Sequence, residues 1–290
     1  MGRGLAQKTL DLRDQCYTIL EEIHPATVRA VCYRLFVLKA IPDMSTNSTG
    51  KISRILTKAR EEEIIPWSWI VDETRGIERV PQWNDPGAFA RTVKRAYRRD
   101  LWAQQPQRVE IWSEKGTMRG TLAPVLDDYG VGFRVFHGFN SATSMNDIAE
   151  ATADQTAPLR VFYIGDWDPS GMKMSEVDIP GRLDSYGAWV EMSRLSLTAQ
   201  DTQRPELATA SFPASDKRKD SRYPWFVRNF GNLCWEVDAL SPVVIRDRVE
   251  GAIRSMITDA DAWHRYEATE QAELDSLGVV LGEWAQLKAS

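Results

Sequence analysis

Two aspartates stand at i and i+2 where an apolar run ends. In RVFYIGDWDPSGMKM they are Asp166 and Asp168, with a Pro-Ser-Gly turn directly after them. Like charges so close repel, and each raises the other's pKa unless a cation sits between them. A third acid, Glu114, closes the segment RVEIWSE. Carboxylate oxygens at strand ends suit magnesium, which takes a few such ligands and keeps room for water and phosphate oxygens. The plain alternative for the aspartate pair alone is two solvated loop carboxylates. The third carboxylate turns the reading toward metal. Lys115, next to Glu114, is either a phosphate contact or a solvated side chain.

Tyr33, in TVRAVCYRLF, has Arg29 four residues before it. On a helix the two lie together, at the flank of the apolar stripe formed by Val28, Val31, Cys32, Leu35 and Phe36. An arginine there can hold a phosphate while the phenol attacks it. A phenol with its free pKa near ~10 is a weak nucleophile and needs a cation or base. The competing reading is a ring packed at the helix flank with Arg29 stacked on it. Spacing does not separate Tyr33 from Tyr17, which has Arg13 four residues before it. Tyr97 has Val93 at that place and is weaker.

These side chains need elements to hold them. Apolar spacing predicts a helix over 7–23, ended by His24-Pro25. A second helix starts near Thr27. After the polar turn PDMSTNSTG comes a third helix, KISRILTKAREEE, whose outer face carries Lys51, Arg54 and Lys58. The aromatic and β-branched stretch IIPWSWIVD reads as the start of a strand pair. Three helices and a strand pair give the order of a winged helix-turn-helix, with the basic third helix entering a groove. Residues 76–106 read as a helical connector with the basic segment RTVKRAYRRD. Its Lys94, Arg95, Arg98 and Arg99 would contact phosphates, as would Lys51, Arg54 and Lys58, in a salt-dependent and largely sequence-independent way. The alternative for any one of them is a solvated helical face.

From Arg108 strands and helices alternate: RVEIWSE, GTMRGTLAPVLDDYG, GFRVFHG, SMNDIAEATAD, LRVFYIGD, then a helix from PSGMKMSEV. That order predicts an α/β unit with a parallel sheet and right-handed crossovers. Ligands in such sheets bind beyond the carboxyl ends of the strands, where Glu114 and Asp166 fall, with Asp168 just after. A further strand is expected at AWVEMSRLSL and another at LCWEVDAL. Helices are expected at SPVVIRDRVEGAIRSMI and from about Asp259 onward.

Composition narrows the classes. Hydrophobic residues are 43% and charged residues 27%, an ordinary globular balance. No apolar run approaches ~18 residues, so no membrane span is expected. The N-terminus lacks the apolar core of a signal peptide, which predicts a cytoplasmic protein. Three distant cysteines, Cys16, Cys32 and Cys234, fit reduced thiols rather than a disulfide framework. There is no CxxC, no zinc-like histidine spacing and no GxxxxGK[ST] loop, so ATP hydrolysis by this chain alone is not expected. Net charge is −5, but residues 1–105 carry 17 Lys+Arg against 13 Asp+Glu while the remainder carries 19 against 28. The opposite signs suggest two modules with different tasks.

With these residues in place, the chain resembles the A subunit of type IIB DNA topoisomerases (topoisomerase VI) and the related meiotic double-strand-break transesterase. TVRAVCYRLF is similar to the family's active-site helix, with Arg29 four residues before the nucleophile Tyr33. IWSEKGTM is similar to the first Toprim strand, ending in Glu114. GDWDPSG matches DxDPxG, giving Asp166 and Asp168. CWEVDALSP resembles the acidic segment near the end of that domain, with Glu236 and Asp238 as weaker candidates. The likeness runs in order over most of residues 20–260 and is greatest to compact stand-alone mini-A relatives. The chain is shorter than a full A subunit and has Cys32 where the family has a second aromatic residue.

The resemblance implies a winged helix-turn-helix over 1–75, a basic helical connector over 76–106 and a Toprim domain over 107–290. It implies Mg²⁺-dependent cleavage of double-stranded DNA by Tyr33, with a 5′-phosphotyrosyl link. Arg29 would steady the phosphorane, Glu114 would act as acid and base, and Asp166 and Asp168 would hold the metal. It also implies a nucleoid-associated homodimer whose active site takes the tyrosine from one chain and the Toprim carboxylates from the other. The family's ATPase partner subunit is not evident in one sequence. The rivals are a metal-dependent nuclease using water, and a non-catalytic DNA-binding protein of a mobile element.

Overall fold

The structure, a computed structural model, describes residues 7–71, 81–136 and 142–286. Helices α1 (Gln7–Ile23), α2 (Val28–Val37) and α3 (Thr46–Glu61) pack on one another. Helix α1 contributes Leu12, Cys16, Ile19, Leu20 and Ile23, and α3 contributes Ile52, Ile55, Leu56 and Ala59 to the same core. Thr27 caps α2 by accepting from Ala30 N at 3.0 Å. The third helix starts at Thr46, earlier than the turn-like composition of PDMSTNSTG predicts. Ser45 is its N-cap, and Asp43 Oδ1 accepts from Ser45 N, Ser45 Oγ and Ser48 Oγ, so residues that read as a turn organise a helix start instead.

The expected strand pair is not found among the described residues. Trp67–Trp69 form a 3-10 turn and Ile70 makes a single parallel bridge to Ala26. Residues 72–80, where the pair would continue and where the 75/76 boundary falls, lie outside the described residues. The connector's helix α4 is confined to Pro86–Ala96, capped by Asp85, and a 3-10 turn follows at Leu101–Gln104.

The second unit is α/β. Strands β1 (Val109–Ser113), β2 (Gly132–Val135), β3 (Leu159–Ile164) and β4 (Val190–Ser196) form a parallel sheet in the order β2-β1-β3-β4. Helix α5 (Met118–Tyr129) joins β1 to β2 and α6 (Ala142–Ala153) lies between β2 and β3. After β3 come α7 (Pro169–Lys173), a π turn at Met174–Asp178 and α8 (Ile179–Ser185). Val109, Ile111, Phe162 and Ile164 point into one core with residues of α5, while Trp112, Val161 and Tyr163 point into the other with residues of α6 and α8. This period-two alternation, with both faces covered, is why β3 reads as an apolar run from Val161 to Ile164.

Short elements α9 (Pro205–Ala208), β5 (Phe212–Pro213), α10 (Tyr223–Phe230) and β6 (Leu233–Cys234) lead to α11 (Pro242–Ser255) and α12 (Ala260–Gln286). The strand expected over LCWEVDAL is only two residues long. Trp235 then bridges to Trp167, and a 3-10 turn at Val237–Ala239 follows because the Val237 N–H is taken by the Asp166 carboxylate. Among the described residues no helix is long and apolar enough to cross a membrane.

Candidate active site

Strand order reverses between β1 and β3, which makes the crevice at their carboxyl ends the binding place in such a sheet. Ser113 pairs with Ile164 across the ladder, so Glu114 and the Gly165–Asp166 turn leave the sheet side by side. Glu114 Oε1 accepts from Asp166 N at 2.8 Å. Asp168 caps α7 by accepting from Gly171 N at 2.8 Å, and Lys217 sits 3.2 Å from its other oxygen. A Cβ on Gly171 would meet Asp166 O at 2.5 Å and Glu114 Oε1 at 3.1 Å, so only glycine lets the helix start this close to the carboxylates.

Lys115 is neither solvated nor free for phosphate. Its ammonium lies 2.8 Å from Asp166, 2.8 Å from Asp238 and 3.7 Å from Glu236. Burial works against this charge, but the three carboxylates outweigh it and hold the lysine protonated, its pKa raised. Asp238 is 3% exposed. Burial pushes its carboxyl up, yet Lys115, Thr27 and Arg29 together hold it below the usual range. Asp166 goes the other way: burial raises it more than Lys115 and the Val237 N–H lower it. Glu114 is pushed up to about 7, first by burial and then by the charge of Asp166.

The tyrosine helix docks on this edge in the same chain. Thr27 Oγ1 donates to Asp238 Oδ1 at 2.8 Å, and Arg29 makes a two-pronged ion pair with Glu236. Arg29 also lies 5.8 Å from the Tyr33 ring centre. Of the buried residues of α2, Tyr33 packs with the α/β core, while Ala30, Val31, Cys32 and Leu35 pack with the N-terminal core. Tyr33 is thus not at an open flank: it is 4% exposed. Burial and the Glu236 charge raise its phenol above the ordinary range, against the pull of Arg29, so it is protonated in this seat.

Sequence reasoning missed three positioning residues. Arg194 on β4 reaches under the aspartate loop and donates to Gly165 O at 2.9 Å, Gly171 O at 3.0 Å and Ser175 Oγ at 2.7 Å. Arg246 on α11 donates to Ile23 O and Pro25 O at 3.1 Å and to Thr121 O at 3.3 Å, tying the two units together. Lys217 is the third. An arginine within the expected strand AWVEMSRLSL was the one signal available; the other two depend on distant contacts.

The basic residues separate. Lys51, Arg54 and Lys58 line a groove of about 370 Å³ between α1 and α3, joined there by Arg13. Lys94 lies over Gly278 of α12, Arg95 closes the last turn of α4, and Arg98 turns back to donate to Tyr97 O at 2.8 Å. Arg99 is committed to α12, paired with Glu273 and lying 4.5 Å from the Tyr266 ring centre.

Among the described residues no three His, Cys, Asp or Glu side chains are arranged to hold a metal ion; the partners of the aspartates are lysines. The donor chemistry nonetheless suits a hard divalent cation. All the candidate ligands are carboxylate oxygens, and Glu114 Oε2 and Asp166 Oδ2 carry no hydrogen bond from the described residues. A cation would also relieve the repulsion that raises Glu114. In comparisons with known proteins, no protein-family model matches the chain and no curated protein matches it.

Proposed function

We propose that this chain breaks double-stranded DNA by transesterification from Tyr33, assisted by Mg²⁺, as a compact relative of type IIB topoisomerase A subunits. The observation that carries this reading is a shared corner. The Arg29–Tyr33 helix faces the same acidic edge that Glu114 and Asp166 reach from β1 and β3. On this reading the N-terminal unit is a winged helix-turn-helix and the α/β unit a Toprim domain. Phosphates track the groove of Arg13, Lys51, Arg54 and Lys58, with Lys94, Arg95 and Arg98 on the connector.

Tyr33 Oη forms the new bond to phosphorus and the bond to the 3′ oxygen breaks. The phenolic proton passes to solvent as the ring leaves its buried seat. Arg29 binds the phosphate oxygens and draws the phenol toward ionisation. Glu114 would act as acid and base toward the leaving 3′ oxygen, which takes up a proton as its bond to phosphorus breaks. Bound among Glu114, Asp166 and Asp168, Mg²⁺ would supply charge to offset that building on the phosphate. A homodimer would present two tyrosines and so cut both strands, each tyrosine working with the carboxylates of its own chain where the resemblance implies those of its partner, and an ATPase partner would couple cleavage to strand passage in the nucleoid.

Trapping tests the reading. Reactions with labelled DNA are denatured and the protein is assayed for label. Label should vanish in Tyr33→Phe, persist in Tyr17→Phe and require Mg²⁺. Undiminished cleavage by Tyr33→Phe would favour the second reading, a nuclease in which metal-activated water attacks. The burial of Tyr33 at 4% exposure is the observation on that side. Loss of Mg²⁺-dependent nicking in Asp166→Ala would separate both from a non-catalytic DNA-binding protein.

A further inference from the structure

We propose that Lys115 and Glu236 form an ionic latch holding the Tyr33 helix in its closed seat, and that a divalent cation entering beside Glu114 and Asp166 opens it. This rests on the metal-binding part of the function proposed above.

The latch is a continuous chain of polar contacts. Asp166 holds Lys115, Lys115 holds Asp238, and Asp238 holds Thr27 at the N-terminus of α2. In parallel, Glu236 holds Arg29, one turn before Tyr33, and Lys115 stands 3.7 Å away from it. Two of the three donors of the Lys115 ammonium are spent on Asp166 and Asp238, and Glu236 acts on it through charge from 3.7 Å. Asp166, Glu236 and Asp238 thus face Lys115 and Arg29, with Glu114 a fourth carboxylate beside Asp166 and Arg194 under the loop. With all of them ionised, the acids outnumber the bases. Burial makes that imbalance costly.

A cation on Asp166 changes every link. Held on Asp166 Oδ2 and Glu114 Oε2, it repels Lys115 and weakens the hold of Asp166 Oδ1 on the ammonium. Lys115 keeps only Asp238 and Glu236, and at Glu236 it competes with Arg29. Arg29 is the most exposed member of the network, at 44% of its side chain, so it is the partner that leaves. Its departure frees a guanidinium for phosphate and removes the brace beside the Tyr33 ring. Lys115 and Glu236 are therefore positioning residues: they act through Arg29 and α2 and touch no substrate.

Amide hydrogen exchange of the full chain tests this, read on peptides covering Val28–Val37 with and without saturating Mn²⁺. Mn²⁺ binding is measured separately by its electron paramagnetic resonance signal. In the wild type, Mn²⁺ should speed exchange of these amides by about tenfold or more. In Lys115→Met and Glu236→Gln the same amides should exchange fast without the ion, and Mn²⁺ should add little. Glu236→Gln keeps the shape of a side chain at the rim of the network, so it decides the matter if Lys115→Met does not fold. Mn²⁺ that binds while α2 exchange stays unchanged overturns the latch and leaves the proposed cleavage standing. A chain that binds no Mn²⁺ overturns both the latch and metal assistance. Variants that exchange faster yet still respond fully to Mn²⁺ also overturn the latch.

Discussion

Replacing Glu114 by Gln should stabilise the protein in alkali and not in acid. Glu114 rises from an ordinary 4.5 to about 7 because burial and the neighbouring Asp166 penalise its charged form. A raised folded pKa means that the contribution to stability is fully present below 4.5 and is lost as pH rises toward 7. At 1.36 kcal/mol per pKa unit the full loss is about 3 kcal/mol. Gln has nearly the same shape and its Oε1 can still accept from Asp166 N, so it removes the charge and little else. Urea unfolding followed by far-UV circular dichroism reads the effect. The advantage of Glu114→Gln over wild type should widen by about 2–3 kcal/mol between pH 5 and pH 8. Saturating Mg²⁺ should shrink the advantage at pH 8, because the ion stabilises the ionised carboxylate that the variant lacks. An advantage that is constant across this range would refute the idea that Glu114 is held above its ordinary pKa.

Two further perturbations probe the supports. Gly171→Ala places a methyl 2.5 Å from Asp166 O, and should cost about 1–3 kcal/mol in urea unfolding while lowering adduct formation at Tyr33. Arg246→Ala leaves the carbonyls of Ile23, Pro25 and Thr121 without their shared donor. It should cost about 1–3 kcal/mol and split unfolding into two transitions, one for each unit, when intrinsic fluorescence is compared with circular dichroism.

Much of the framework could be read in the sequence because it depends on local pattern. The helices over 7–23 and 241–257 show clear 3.6-residue periodicity, and the strands around Ile111 and Phe162 are short and rich in β-branched and aromatic residues. Local pattern failed where a side chain took over a backbone task. Asp43 and Ser45 start α3 inside a stretch composed like a turn, and the Asp166 carboxylate takes the Val237 N–H that a strand would have used. It also failed where a residue's partner lies far along the chain. Lys115 next to Glu114 could be read as a phosphate contact, since nothing nearby announces Asp238, 123 residues away. Arg99 looks like one more member of a basic run, and its partner Glu273 is 174 residues distant. The carboxylates themselves were legible because strand ends fix them. The buried seat of Tyr33 was not, because it depends on how two units dock.

The register between β1 and β3 acts as a calliper. Glu114 comes one residue after the Ser113–Ile164 pair on one strand and Asp166 two residues after it on the other, so their spacing starts from the ladder between adjacent strands, about 4.8 Å apart, and is completed by the Glu114–Asp166 N–H contact. Substitutions that accumulate in the covering helices can reshape the approach to this crevice or alter its partners. They leave the gap between the two acids unchanged. A lineage built on this sheet can therefore change what reaches the acids many times over while inheriting the same spacing.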